Sequence, residues 1–447
     1  MTKDDESETK NNDRSNNENN KSNVTSIITM IVSKVLKTVL HAFGYPAFPT
    51  SPSDLVGEFR VGAIRARIPG AVSCQIHYPT LDCNASSSSS SSSFTPYMRP
   101  ATVQGIADYS RQSPHLLSFL SQRAHPCIMN ASPMVGDDNK KFPIVIFSHG
   151  LGGCMEMYTA LCQQMASMGY YVVALEHEDG SGAYAESFSS SSDTKGPIYY
   201  KRPDDTPYSR HKVVNFRKPF LTQRVQEIDS VLDYLKQQST DMATNRDDHK
   251  EQAALQHILS AADHQQGVHL VGHSFGGATV VLAQQDEAFT QRHQVQSLTL
   301  LDCWAFSLPD TSLAKGCRSK HVLSFLSEAW ITNPETEQVK ELLRNSQGGV
   351  ASYYVPNSVH ASFSDAAHWF PGWIARRLYM RATGESRHAT IRTVARAWGR
   401  YARQPTTGDN PAATTTTTTT ATAHNGLREF PVEARQSRTT TMVSSSS

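Results

Sequence analysis

The sequence predicts an α/β fold: a mostly parallel central sheet with helices on both faces, an antiparallel N-terminal edge and disordered termini. Three observations predict it. Short apolar runs alternate with segments of helical periodicity from residue 142 to 381, the pattern of strands joined by crossover helices. A serine framed by glycines, Gly272-His273-Ser274-Phe275-Gly276, stands where an apolar run turns into a helical one. The biased ends of the 447 residues leave a foldable part of roughly 330, the size of one large α/β domain.

The elements follow in chain order. The first 23 residues are rich in Asn, Asp, Glu and Lys and cannot bury enough surface to fold, so residues 1–23 read as a disordered polar tail. They lack the charged-then-apolar layout of a secretory signal. Over 24–44, Ile27, Ile28, Ile31, Val32, Val35, Leu36, Val39, Leu40 and Phe43 recur at helical spacing, giving an amphipathic helix. Lys34 and Lys37 interrupt it, which makes a poor membrane span and leaves docking on the domain or contact with a lipid interface. The catalytic domain is expected over 55–385. It opens with the antiparallel edge, strands 61–68 and 72–78, and continues through a flexible insertion near 84–95 that holds the serine run Ser86–Ser93. Residues 112–125 read as a helix forming part of a lip over the site. Strands are then expected at 142–148, 171–175, 268–271, 297–301, 321–326 and 351–355. Helices are expected at 155–168, 220–237, 276–286, 335–344 and 365–381. Residues 179–219 read as a long loop at the active edge, a lid or an insertion. The chain ends in a low-complexity disordered tail, 404–447, with Thr414–Thr420 as a homopolymer.

The chemistry centres on Ser274. On a strand-to-helix turn its hydroxyl stands clear of small neighbours, with a helix N-terminus facing developing negative charge. A serine needs a base and an orienting acid, in chain order Ser, acid, His for this architecture. Asp302 closes the apolar run Ser297–Leu301, at the strand end where open α/β sheets place their sites. His360 follows the strand 351–355 on a loop. His321 precedes a strand, His368 lies within an expected helix, and His273 is expected to point away from the nucleophile beside it. The oxyanion needs two backbone amides: Phe275, after the nucleophile, and Leu151, in Ser148-His149-Gly150-Leu151-Gly152-Gly153 after an early strand.

Five motifs in order carry a resemblance. Phe147-Ser148-His149-Gly150-Leu151-Gly152, Val173-Ala174-Leu175-Glu176-His177, Gly272 to Val280, Leu301 to Phe306 and Ser358 to Phe363 together resemble the platelet-activating factor acetylhydrolase family, of the plasma and intracellular type II kind, over roughly residues 55–385. The resemblance implies an α/β-hydrolase fold. It also implies calcium-independent hydrolysis of the sn-2 acetyl, short or oxidised acyl ester of phosphatidylcholine-like lipids. It places nucleophile, acid and base on Ser274, Asp302 and His360. Cys303, Ala305 and the loop from Glu178 to Pro219 depart from the family pattern, which bears on acyl-chain preference.

Composition narrows the alternatives. Lys plus Arg number 42 and Asp plus Glu 41, so no global field attracts nucleic acid. Seven scattered cysteines without a C-x-x-C pair argue against a disulfide framework. Glu176-His177-Glu178-Asp179 lies along a strand end, where successive side chains alternate and cannot converge on one ion, so neither metal nor other cofactor is expected. The basic, tyrosine-rich half of the long loop, with Tyr199, Tyr200, Lys201, Arg202, Arg210, Lys212, Arg217 and Lys218, is a candidate for phosphate headgroups. The expected partner is a phospholipid substrate, with peripheral contact to a membrane or lipoprotein surface. A cytoplasmic or peripheral-membrane location is the expectation. A broader carboxylesterase or lipase, or a non-catalytic lipid-binding scaffold, are the competing readings.

Overall fold

The computed structural model describes residues 52–82, 94–135, 141–188, 195–203, 209–238, 250–386, 388–403 and 426–432, with parts of 31–49. The expected tail 1–23, the serine run and Thr414–Thr420 lie outside the described residues. The strands are β1 (Arg60–Arg67), β2 (Ser73–Thr80), β3 (Ile128–Met129), β4 (Phe142–Ser148), β5 (Tyr171–Leu175), β6 (Tyr184–Phe188), β7 (Lys195–Tyr199), β8 (Ala262–His273), β9 (Val295–Leu301), β10 (His321–Ser327), β11 (Gly349–Val355) and β12 (Arg428–Glu429). Ten of them form one sheet in the order β12-β11-β10-β9-β8-β4-β5-β2-β1-β3, and β6 and β7 make a separate hairpin.

The segment from β11 through β10, β9, β8 and β4 to β5 is parallel, while β2 runs antiparallel to both β5 and β1. This is the parallel sheet with an antiparallel N-terminal edge that the sequence predicts. Its strands are apolar on both faces because both are covered. Along β4, Ile144 and Ile146 enter one core while Val145 and Phe147 enter the other. The helices Arg210–Gln238 and Phe275–Gln285 cover the first face through Ile228, Val231, Leu235, Val280 and Val281. The helices Thr159–Ser167 and Ala389–Ala402 cover the second through Leu161, Met165, Val394 and Trp398.

Several elements differ from the sequence reading. In place of the helix expected at 112–125 stand two short turns, Pro114–Leu117 and Ser118–Ser121; the longer helix lies before them, Pro100–Ser110, starting on a proline and ending at Arg111 with φ 54°. Leu117, Phe119 and Leu120 are buried, Phe119 against Phe370, so they belong to the core and not to a lip. The long loop 179–219 contains the hairpin β6–β7 and the first turns of the helix Arg210–Gln238. Pro219 reads as a helix boundary in sequence, yet it sits inside this helix, where the packing of Phe216 and Phe220 against the core offsets the lost hydrogen bond. Pro371 divides the expected helix 365–381 into a 3-10 turn, Asp365–His368, and the short helix Gly372–Arg377. Past residue 385, the helix Ala389–Ala402 buries Ile391, Val394 and Trp398, and within the C-terminal segment β12 returns to the edge of β11 with Leu427 and Phe430 buried.

In the described part of the N-terminal helix, Leu40 is buried against the domain, and the Ala47 amide donates to the His368 carbonyl at 3.0 Å. Ile31, Val35, Val39 and Phe43 are exposed. No helix among the described residues is long and apolar enough to cross a membrane. The described cysteines, Cys74, Cys127, Cys154, Cys162, Cys303 and Cys317, are buried free thiols.

Candidate active site

β8 ends at His273, and Ser274 caps the following helix with φ 55° and ψ −118°, a backbone region L-residues rarely adopt. The surrounding packing enforces that strain. A Cβ on Gly276 would lie 2.0 Å from the Ser148 carbonyl oxygen, and one on Gly272 would lie 2.2 Å from the Gly276 oxygen. Only glycine at these two positions lets helix and strands approach this closely. The Ser274 amide donates to the Leu301 carbonyl at 2.9 Å and its own carbonyl accepts from the Trp304 amide at 2.9 Å, which pins the turn to the end of β9.

The next residue after β9 is Asp302, fully buried with φ 41°. Its Oδ1 accepts from the Ser327 amide at 2.6 Å, and its Oδ2 accepts from the Ser327 hydroxyl at 2.6 Å and lies 3.1 Å from His360 Nδ1. Ser327 is a site residue the sequence reading missed. It ends β10, and only the alignment of β9 beside β10 brings it to Asp302. His360 opens a turn after β11. Ser358 holds the preceding loop by accepting from the Glu328 amide at 3.2 Å and donating to the Val355 carbonyl at 2.6 Å. The structure brings Asp302 and His360 into contact. No hydrogen bond joins Ser274 Oγ to His360 among the described residues, although the His360 ring packs, tilted, against the neighbouring His273.

His273 is turned into the site and away from solvent. The Gly150 amide donates to Tyr158 Oη at 3.2 Å, Tyr158 lies 2.8 Å from His273 Nδ1, and His273 Nε2 lies 3.2 Å from the His360 carbonyl oxygen. Burial, then the neighbouring His360, hold His273 well below the usual imidazole range. It is therefore neutral, with Nδ1 accepting from tyrosine and Nε2–H donating to the carbonyl. On its other side the His360 ring stacks on Trp330, centroids 4.5 Å apart and planes 20° apart.

After β4 the chain makes the loop that carries Leu151. Its neighbours are committed: the Gly150 amide to Tyr158, and the Gly152 amide to the Ser181 carbonyl at 2.9 Å. Arg224, fully buried, fixes the loop from beneath. Its Nη1 donates to the His149 carbonyl at 2.6 Å, and its Nε donates to Asp179 at 2.9 Å and Ser181 Oγ at 3.0 Å. Burial pushes the Asp179 carboxyl up, but Arg224 and His177 more than offset this and leave it below the usual range. Beside it, Ser148 Oγ lies 2.8 Å from His177 Nε2, and His177 Nδ1 lies 2.7 Å from Glu227. This second serine–histidine–acid chain is buried beneath the loop, and burial followed by the Asp179 charge pushes the Glu227 carboxyl up to about 8.

The cluster at 176–179 disperses along the strand end. Glu176 pairs with Arg99, His177 with Glu227, Glu178 with Arg67 and Asp179 with Arg224. Two described groups come close enough to share an ion, His273/Asp302/His360 and Asp229/Asp233/His293, and in the second Arg292 already donates to Asp229 at 2.5 Å.

Comparison with known proteins shows the family of the chain and the likeness of its fold. A family model described as platelet-activating factor acetylhydrolase, isoform II, matches residues 54–399. A platelet-activating factor acetylhydrolase from Gallus gallus is 29% identical over 254 residues, 54% of this chain and 56% of the relative. One from Cavia porcellus is 27% identical over 236 residues, 51% of this chain and 49% of the relative. A putative phospholipase A2 from Schizosaccharomyces pombe is 37% identical over 81 residues, 18% of this chain and 15% of the relative. The chain thus spans about half the length of the acetylhydrolases it matches. Among solved structures, a ferulic acid esterase from Streptomyces cinnamoneus superposes with a TM-score of 0.53 at 17% identity, covering 84% of this chain and 98% of that one, a likeness of fold.

Proposed function

The chain belongs to the platelet-activating factor acetylhydrolase, isoform II, family, and on that premise we propose that it is a serine hydrolase that cleaves the sn-2 acetyl, short or oxidised acyl ester of phosphatidylcholine-like lipids. The observation that carries the reading is the strained Ser274 elbow, packed against a buried Asp302 that lies 3.1 Å from His360. Ser274 is the nucleophile. His360 takes its proton as it attacks the ester carbonyl, and Asp302 orients the ring and stabilises the imidazolium. The amides of Leu151 and Phe275 receive the oxyanion, supported by the helix N-terminus behind Phe275. His360 then protonates the departing lysolipid oxygen, and a water activated by the same imidazole releases the short acid. The exposed Ile31, Val35, Val39 and Phe43 give the N-terminal helix an apolar stripe for peripheral contact with a lipid surface.

The test is hydrolysis, with EDTA present, of phosphatidylcholines carrying acetyl, butanoyl, oxidised or long sn-2 chains, by the full chain and by Ser274→Ala. Serine-dependent release confined to short or oxidised chains is expected. Equal release from long chains and simple esters would make the protein a general lipase, and no release would make it a binding protein.

A further inference from the structure

We infer that Arg217 forms an anion subsite beside the oxyanion loop and takes a phosphate oxygen of the substrate's headgroup. The inference rests on the phospholipid reading above and assigns the residue that would select for it. Arg217 is 3% exposed, forms no ion pair among the described residues, and its Nη1 is buried without a hydrogen-bond partner. A buried guanidinium is normally matched by a carboxylate, because desolvating a charge is costly unless it is paired. Arg224, two turns further along the same helix, follows that rule with Asp179. Around Arg217 there are aromatic rings instead: Phe216, Phe220, Tyr200 and Phe275 lie 4.8, 5.4, 5.5 and 5.8 Å from its Cζ. Its Nη2 donates to the Tyr200 hydroxyl at 2.7 Å. These contacts hold the cation in place and leave Nη1 buried without a partner.

Position ties this cation to the reaction. Phe275 supplies one proposed oxyanion amide, so a single ring separates Arg217 from the elbow. On the other side Tyr109 packs edge-on to Tyr200, centroids 4.8 Å apart, and fills the space where Gly152 of the oxyanion loop would carry a Cβ. Two further cations border the same rings, Lys201 over Phe220 and Arg202 over Tyr200, and neither forms an ion pair among the described residues. Arg202 spends Nη2 on the carbonyls of Asp108 and Tyr109, and Arg210 is engaged by Asp310 and the Leu308 carbonyl. Of these residues Arg217 is the buried one whose guanidinium has no carboxylate, with Nη1 unpartnered; Arg210 also leaves its Nε unpartnered, but its guanidinium is already paired with Asp310. Guanidinium is suited to phosphate oxygens through directional, charge-assisted hydrogen bonds.

The experiment compares two substrates with the same ester, 1-alkyl-2-acetylglycerophosphocholine and the neutral 1-alkyl-2-acetylglycerol, for wild type, Arg217→Gln and Arg217→Lys. Arg217→Gln is expected to lower the ratio of kcat/KM for the phospholipid to that for the acetylglycerol at least tenfold, and Arg217→Lys to lower it less. An unchanged ratio, with both substrates losing equally, would overturn the inference and leave Arg217 a support for the elbow. A second arm measures melting with inorganic phosphate. If wild type cleaves the acetylglycerol but not the phospholipid, the phospholipid reading fails. The subsite then stands as a free-anion site if phosphate raises the melting temperature of wild type and not of Arg217→Gln, and falls if it raises neither.

Discussion

The Nε2 of His273 lies 3.2 Å from the carbonyl oxygen of His360, and the two rings pack tilted at 34° with centroids 4.5 Å apart. The residue before the proposed nucleophile thus holds the backbone of the proposed base. Through Tyr158 the same imidazole reaches the Gly150 amide, so one buried chain of hydrogen bonds links the proposed oxyanion loop to the proposed base.

Tyr158→Phe removes the middle of that chain and leaves the Gly150 amide and His273 Nδ1 unsatisfied, a loss of about 1–3 kcal/mol. We expect kcat to fall roughly tenfold or more with KM nearly unchanged. The affinity for a trifluoromethyl ketone transition-state analogue should fall in step. A loss of melting temperature with kcat intact would show that Tyr158 serves packing alone.

Ser274→Ala should abolish turnover while leaving the fold intact. Ser274→Gly should be equally inactive yet more stable than the alanine variant by about 1 kcal/mol, because φ 55° with ψ −118° strains any residue with a Cβ. Thermal melting of the two variants side by side checks this, and equal stability would remove strain from the account of the elbow.

Ser327 donates twice to Asp302, through its amide and its hydroxyl. Ser327→Ala keeps the amide but frees Oδ2 to turn, so the carboxylate orients His360 less well. Steady-state kinetics should show kcat reduced by roughly tenfold, a value in the range of lost positioning contacts, with Ser327→Thr recovering most of it. Wild-type kcat in the alanine variant would count against the role.

Glu227 supplies a pH dependence of stability. Its carboxyl is pushed up to about 8 in the folded protein from 4.5. Between those values the folded state holds a proton that the unfolded chain gives up, so this contribution is complete at low pH and is lost as pH rises through the window. Glu227→Gln cannot titrate. Its melting temperature should fall less between pH 5 and pH 8 than that of wild type, a difference on the order of 1 kcal/mol or more. Parallel curves for the two proteins would refute the assignment.

What the sequence determined by itself was whatever depends on local order. The alternation from β4 onward reveals the parallel sheet because each strand is buried on both faces and each helix on one. The glycines of the elbow mark Ser274 because no other residue fits 2.0 Å from a backbone oxygen. Asp302 is legible as a carboxylate closing an apolar strand and His360 as an imidazole on the loop after one. Tertiary structure decided what depends on elements distant in the chain. Ser327 meets Asp302 only because β9 and β10 are neighbours, and His273 turns to the proposed base because Tyr158, from a different crossover, donates to its Nδ1. The helix Arg210–Gln238 runs through Pro219 because its packing outweighs the local preference to stop. That helix carries Arg224 to the loop after β4 and Arg217 to the ring of Phe275, although both lie far before Ser274 in sequence. Periodicity marks the face a residue occupies, but which distant group lies opposite that face is set only when the sheet is assembled.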